Sequence, residues 1–378
     1  SLDAHRCFEA EVHGERRSLA WFYGDRGWPS FESATADARL TVVGSRMAFE
    51  DEELAPLEDY PETFRFRSTG MALHPDRLAR ALATKTFTNS SDCDLVTKLY
   101  QETFDAVKRA RKQNFQRIAW TEDRMTQYFE TLAEMPDLEE FILAYSALGD
   151  RCVERFAEQL REKQQLQTLT LINVGLTDAG MGPLLANLPA GLRDCTLDNH
   201  QITLEDIREG IQMPRALEML SIEENCIGDR GAARLPGLLP ATLRRLFLAS
   251  NAIGDTGAAV LLANLPVGLQ NLDLRNNHIA LEDMRGRVQL PVGLVQVGLG
   301  GNRVGDRGAG WLAEGLPVSF ARLLLQNNLI GNAGAEAMAG PLSMLPALEC
   351  VVLTGNTAIT EAGQRALTAV LPQGSVDL

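Results

Sequence analysis

Few residues in this chain have the types and spacing that chemistry demands. His5, Cys7 and His13 bring imidazole and thiol donors close together, but tetrahedral zinc takes four ligands at set spacing and no fourth completes the set. Gly298-Leu-Gly300-Gly301, followed by Gly305, would turn backbone N–H groups toward a phosphate. No Gly-Lys-Ser/Thr follows to add the ammonium and the metal-binding hydroxyl, and a repeated strand and turn explain the glycines as well. No Ser/His/Asp or Cys/His arrangement for a nucleophile stands out. His200 occupies a turn slot that asparagine fills in other repeats, so it reads as a turn residue. Lys108, Arg109, Arg111 and Lys112 close a helix expected over about 94–112, where cations complement the negative end of the helix dipole. No catalytic residue, cofactor or metal is expected.

The elements that would carry a function are better defined. From Leu138 to the C-terminus the chain repeats one phrase nine times: apolar, two variable, apolar, one variable, apolar, then a turn. Copies begin at Leu138, Leu166, Leu192, Leu217, Leu243, Leu269, Leu294, Phe320 and Leu348, at steps of 28, 26, 25, 26, 26, 25, 26 and 28 residues. A period of this length means a solenoid. Within each copy the alternation is that of a strand with one face buried. Asn225, Asn251, Asn277, Asn302, Asn328 and Asn356 take the ninth position, where a side-chain amide can bond backbone groups of adjacent turns. Gly228-Asp229, Gly254-Asp255 and Gly305-Asp306 then read as a glycine before an N-capping aspartate, and the small residues that follow let a helix lie close to the strand layer. Prolines from Pro189 to Pro317 stand three residues before the next copy and end each helix. Three repeats are duplicated as a unit with an offset of 77 residues: Leu204-Glu-Asp206 recurs as Leu281-Glu-Asp283, and Gly228-Asp-Arg-Gly-Ala232 as Gly305-Asp-Arg-Gly-Ala309. The middle repeat of each triplet lacks the helix signal, so an irregular return segment is expected there.

These residues resemble leucine-rich repeat proteins of the ribonuclease-inhibitor type, which share the Leu-x-x-Leu-x-Leu-x-x-Asn strand and the Gly-Asp-x-Gly-Ala helix start. The resemblance implies an α/β solenoid, a curved parallel sheet inside and helices outside. The repeats here are shorter than is usual in that family. Its members include nuclease inhibitors, GTPase-activating proteins and sensor regions of immune receptors, so the fold selects no function.

Ahead of the repeats, residues 1–90 read as a small mixed α/β module and 91–137 as a helical cap with a degenerate first repeat; 138–378 form the repeat domain. Ser18–Tyr23, Ala38–Val43 and Thr63–Arg67 are candidate strands, with a short helix over 31–38. Helices are expected over 75–82, about 94–112 and 122–135, with a strand over 115–120 between the last two. Trp28-Pro-Ser-Phe-Glu32 is similar to the Trp-x-x-x-Glu segment of TIR domains, where the glutamate serves NAD cleavage. His74-Pro75-Asp76 is similar to the tripeptide of J-domain co-chaperones, and reads equally as a helix start.

The formal charge of −14 disfavours a nucleic-acid role, which rests on cations neutralising phosphates, and favours a basic partner surface. Six scattered cysteines without CxxC indicate free thiols in a reducing, intracellular compartment, cytoplasmic or reached after import into an organelle. No run is long enough to span a bilayer. The outward positions of each repeat are the third, fifth and seventh, with the eighth beside them. They mark Asp194, Asp198, Glu223 and Glu224 as an acidic patch on the concave face, beside Arg245, Phe247, Asp273 and Arg275. Aromatic and arginine side chains anchor interfaces. The expectation is a non-enzymatic interaction or scaffold protein, a subunit of a larger assembly, that binds a protein through this face. The alternatives are repeats regulating a degenerate TIR-like, NAD-cleaving or nucleotide-binding module, and a GTPase regulator or nuclease inhibitor.

Overall fold

Every strand of the repeat region is set by the same three inward residues. In the fifth copy Leu243, Leu246 and Leu248 are completely buried, and the equivalent residues of the neighbouring copies lie beside them as a continuous apolar layer. The computed structural model describes residues 7–12, 15–20, 74–83, 91–117, 122–208, 210–282 and 290–378. The candidate strands at 38–43 and 63–67, the helix at 31–38, the Trp28–Glu32 segment and His5 and His13 lie outside them.

The chain divides into two compact units, residues 1–141 and 142–378. In the first, β1 (Cys7–Val12) and β2 (Glu15–Ala20) form an antiparallel hairpin. Only the second of these overlaps an expected strand. Helix α1 (Pro75–Leu82) begins where the proline places it, and His74 caps it by accepting the Asp76 N–H through Nδ1. That accounts for the His-Pro-Asp tripeptide as a helix start. Helix α2 (Ser91–Val107) buries Val96, Tyr100, Phe104 and Val107 against Leu78 and Leu82 of α1.

Two expectations need correction here. Helix α2 stops at Val107, and Lys112 already opens strand β3 (Lys112–Gln116) instead of a strand at 115–120. The basic run therefore does not serve the helix dipole. Lys108 pairs with Glu134, Arg111 with Glu139 and Lys112 with Glu140, so these cations tie the strand and its neighbours together. Buried Gln113 in a position where the other repeats carry an apolar residue hid the strand's register. Phe115 then packs edge-on against Tyr128 of α3 (Glu122–Ala133) at 5.1 Å between ring centres.

From β3 onward eleven strands follow one another in chain order in a single open sheet. They are β4 (Glu140–Ala144), β5 (Thr168–Ile172), β6 (Asp194–Asp198), β7 (Met219–Ser221), β8 (Arg245–Phe247), β9 (Asn271–Asp273), β10 (Gln296–Gly298), β11 (Arg322–Leu324), β12 (Cys350–Val352) and β13 (Val376–Asp377). Pairing is parallel from β5 to β13 wherever the register is described, as at Met219↔Arg245↔Asn271. Helices α4 (Asp150–Leu160), α5 (Asp178–Ala186), α6 (Gly228–Arg234), α7 (Asp255–Ala263), α8 (Asp306–Gly315), α9 (Asn332–Ser343) and α10 (Glu361–Thr368) supply the return paths. The residues after Leu371 add β13 to the sheet beside β12, with Val351 N–H and Leu353 N–H donating to the Ser375 and Asp377 carbonyls.

Two side-chain ladders hold the rungs together. The ninth-position asparagines are buried; Asn251 Nδ2 donates to Ile222 O (2.7 Å), Leu248 O (3.1 Å) and Ala249 O (3.2 Å). His200 does the same work in its copy, with Nε2 3.1 Å from Leu171 O and Nδ1 accepting from Val174 N. The second ladder differs from expectation. Asp229, Asp255 and Asp306 sit inside the first helical turn and make no cap to their own helices. Asp229 accepts from Gly254 N and Gly257 N, and Asp306 from Gly331 N and Gly334 N, each in the next repeat. The first-turn carboxylate thus starts its neighbour's helix. Where the next copy has no helix, the same carboxylate grips an irregular turn. Asp178 receives the N–H groups of Thr203, Leu204 and Glu205, and Asp255 those of Ala280, Leu281 and Glu282. Leu204 and Leu281, 77 residues apart, both take left-handed backbone angles (φ 63° and 60°). The expected loss of a helix is borne out between β6 and β7; its counterpart between β9 and β10 lies partly outside the described residues.

Candidate protein-binding face

The inward layer leaves the alternate strand positions on the other face of the sheet. Three columns run across it. The third positions give Thr168, Asp194, Met219, Arg245, Asn271 and Gln296, and the fifth give Thr196, Ser221, Phe247 and Asp273 in paired register. The eighth position turns the chain out of the strand. It is left-handed in every copy described from Tyr145 to Gly355, including Asn173, Asn199, Glu224, Ser250, Asn276 and Asn327. Asparagine and glycine tolerate that backbone best, so Glu224 and Ser250 are held there by their neighbours.

Side-chain contacts sort the eight candidate residues into two groups. Four are occupied with one another. Arg245 reaches across the Met219 rung to Asp194, with Nη2–Oδ1 at 3.1 Å. Arg275 clamps Asp273 through Nε (2.9 and 2.8 Å) and Nη2 (2.5 Å), and its guanidinium is held above its ordinary pKa chiefly by that bond. Asp273 itself is only 8% exposed, a buried ion-pair member. These pairs are neutral, and an Arg–carboxylate fork of this kind is already satisfied.

The other four remain available. Asp198, at the end of β6, accepts Ser221 Oγ (2.7 Å) and the Glu223 N–H (2.8 Å). Burial nevertheless pushes its carboxyl above the usual carboxylate range, and the Glu224 charge adds to the effect. Glu223 is pushed up as well, first by burial and then by Asp198 and Asp273, with Arg275 only partly offsetting them. Glu224 is exposed beside them. Phe247, on the outward face as expected, is half-buried there: its ring lies in the column between small Ser221 and ion-paired Asp273. Ser221 escaped notice in the sequence, because nothing in its type shows that it would bond Asp198 one rung away.

Glycine shapes the neighbouring rung. Gly298 and Gly300 stand where other strands carry outward side chains, and a Cβ on Gly298 would lie 3.1 Å from Asp273 Oδ1 and 3.3 Å from Arg275 Cγ. A Cβ on Gly300 would run into the amide of Gln326 at 2.5 Å. The glycines that resembled a phosphate loop are therefore space for Arg275 and Gln326 to lie flat. Among the described residues no cluster of His, Cys, Asp or Glu could hold a metal ion. Cys195 is buried in an inward slot, its thiol pushed up to about 12 by burial.

A parallel sheet that advances one strand per copy, a buried asparagine at six of the turns and an inward apolar triad decide the architecture. It is a leucine-rich repeat solenoid. A leucine-rich repeat family model matches residues 240–262, the turn, strand and helix around β8 of the solenoid. No curated protein matches the chain in sequence. Solved structures that resemble the solenoid include an internalin from Listeria monocytogenes, 19% identical over 73% of this chain and 76% of that one, with a TM-score of 0.48. The yeast complex of Rad7 and Elc1 contains another, 15% identical over 80% and 90% with a TM-score of 0.43. A third is in an assembly of Latrophilin 3, Unc5D and the leucine-rich repeats of FLRT2, 18% identical over 70% and 67% with a TM-score of 0.42. Likeness at that level carries no partner or activity across to this solenoid.

Proposed function

We propose that the solenoid is a non-enzymatic interaction module, a scaffold within a larger assembly, that receives a basic segment of a protein partner across its open sheet face at Asp198, Glu223, Glu224 and Phe247. The observation that carries the reading is the crowding of Asp198 and Glu223. Two half-buried carboxylates are pushed toward protonation chiefly by desolvation, Asp198 further by the Glu224 charge and Glu223 by that of Asp198, while Arg275, which partly offsets Glu223, is spent on Asp273. A Lys or Arg from outside would neutralise them, and desolvation on binding would strengthen the attraction. Phe247 beside them supplies apolar area for the aliphatic stem of that cation. The surface is pre-ordered by the asparagine ladder, so little chain entropy is lost on its side when a partner docks. The free cysteines suit a reducing compartment.

The test is affinity purification from the native source with the full chain and with the double variant Glu223→Lys, Phe247→Ala, compared by mass spectrometry and by thermal melting. The expected outcome is loss of the main partner with the melting temperature retained. Retention of every partner by a folded double variant would move the interface off this face.

A further inference from the structure

Two arginines on the open face stand in the same relation to an acidic residue and behave differently. In the column of third positions Arg245 reaches over Met219 to Asp194, two rungs away, and closes at 3.1 Å. The column of seventh positions repeats that layout with Arg275, Ala249 and Glu223. The bonds from Glu224 N to Ala249 O and from Ser250 N to Arg275 O hold that column in register. Two rungs separate Arg275 from Glu223, about 10 Å across the sheet, and Ala249 is a smaller obstacle than Met219. Arg275 nevertheless folds back onto Asp273 of its own rung, its Nε 2.9 and 2.8 Å from the two carboxylate oxygens. Glu223 keeps Asp198, Glu224 and Asp273 as its charged neighbours, and Arg275 only partly offsets them.

Gly298 makes room for the fold-back. A Cβ there would stand 3.1 Å from Asp273 Oδ1 and 3.3 Å from Arg275 Cγ. The backbone does not ask for glycine at this place, since Gly301 is left-handed (φ 69°) and Gly298 is not. The 77-residue duplication shows the same slot filled. Residue 298 corresponds to Ser221 and residue 275 to Asp198, and the Ser221 hydroxyl donates to Asp198 across the rung at 2.7 Å. In both triplets this slot meets the seventh residue of the preceding copy.

We propose that Gly298 is a positioning residue for the acidic patch: it leaves space for Arg275 to lie on Asp273, keeps that guanidinium off Glu223, and so leaves the patch open to a cation from a partner. The inference rests on the reading of the open face as a receptor for a basic segment, and gives the reason the patch is not neutralised from within. A side chain at 298 would press on Arg275 Cγ, the point from which the guanidinium swings. The guanidinium would then reach Glu223 as Arg245 reaches Asp194, while Asp273 would keep the Arg275 backbone N–H at 3.0 Å. An arginine paired inside the patch is already satisfied, and a partner's Lys or Arg would have to displace it.

The test begins with the free protein. Followed by NMR of its side-chain carboxyl carbon, Glu223 is expected to titrate about one pH unit lower in Gly298→Ala than in wild type, because a cation beside it favours the charged form. Asp273→Asn, which loosens the clamp without adding a Cβ, should move Glu223 in the same direction. Gly298→Ala combined with Arg275→Met should return Glu223 to its wild-type titration or above it, since no cation is left to swing. Binding is read separately by calorimetry with an amidated tetra-arginine peptide. Gly298→Ala is expected to bind it about fivefold more weakly than wild type, and the double variant to regain the wild-type affinity or exceed it. A Gly298→Ala protein that melts lower while Glu223 titrates as in wild type would mark the glycine as structural only and overturn the proposal. A lowered Glu223 titration with unchanged peptide binding would uphold the positioning of Arg275 and remove the basic-segment reading of the face.

Discussion

At the scale of the residue, His200 shows how one position can be read from its slot alone and still hold a surprise. Its buried ring replaces the amide of the asparagine ladder, accepting from Val174 N and facing Leu171 O, an arrangement that requires the neutral imidazole. Burial lowers its pKa from the ordinary value of 6.5, against a smaller opposing effect of the Leu171 carbonyl. A histidine depressed in the folded state binds fewer protons there than in the unfolded chain. The stability it contributes is therefore present above the unfolded pKa and is lost as pH falls through 6.5 toward the folded value. His200→Asn, which installs the ladder's own residue, is expected to leave the melting temperature near neutral pH within a few degrees and to flatten its decline between about pH 7 and pH 5. Thermal melts at stepped pH measure this; an undiminished acid decline in the variant would show that other groups carry it. The candidate site divides at the same scale. Strand alternation placed all eight residues on or beside one face, but it could not tell which carboxylates were already paired, since Arg245 and Arg275 choose their partners in space.

At the scale of the element, the helices are spaced by glycine and joined by aspartate. Gly231 and Gly308, 77 residues apart, lie in the first helical turns that press on the helix-less copies: a Cβ would clash with the Thr203 and Ala280 carbonyl oxygens, well inside van der Waals contact. The small residues were expected to admit the strand layer, and instead they admit the neighbouring return path. Gly308→Ala should destabilise the repeat domain by about 1–3 kcal/mol through overpacking, read as a shift in the chemical denaturation midpoint at unchanged slope. A neutral result would mean that the irregular turn at Ala280 yields freely. Helix α2 makes the opposite point. Its apolar stripe was legible at Val96, Tyr100, Phe104 and Val107, yet Leu95 and Leu99 of the same stripe remain exposed at 47% and 37%. Its end was misjudged because a run of cations looks alike on a helix terminus and on a strand paired with glutamates.

At the scale of the whole molecule, a solenoid gains its stability between neighbouring copies and offers long surfaces in return. If the open face receives a basic segment, its association must be steered by the field of the acidic patch and of a chain carrying −14. Raising ionic strength from about 0.01 to 0.5 M should then slow association with the captured partner by more than about tenfold, while dissociation changes less. Surface-plasmon measurements over that range check it, and a salt-independent on-rate would remove electrostatics from the recognition. The amino-acid sequence alone determined the repeat, its phase, the buried triad, the asparagine slots and the duplicated triplet, because those depend on period, and period is written in residue types. It also determined the outward columns, since a strand's alternation leaves no choice of face. Only the tertiary structure decided what touches across rungs. It showed that first-turn aspartates serve the following copy, that two of the acidic residues are already paired with arginine, and that Ser221 donates to Asp198 from the next rung. Apart from Arg275 and Asp273, which are two positions apart, those contacts join residues 23 to 51 positions apart, where spacing along the chain says which rung a residue occupies and nothing about which way its side chain leans.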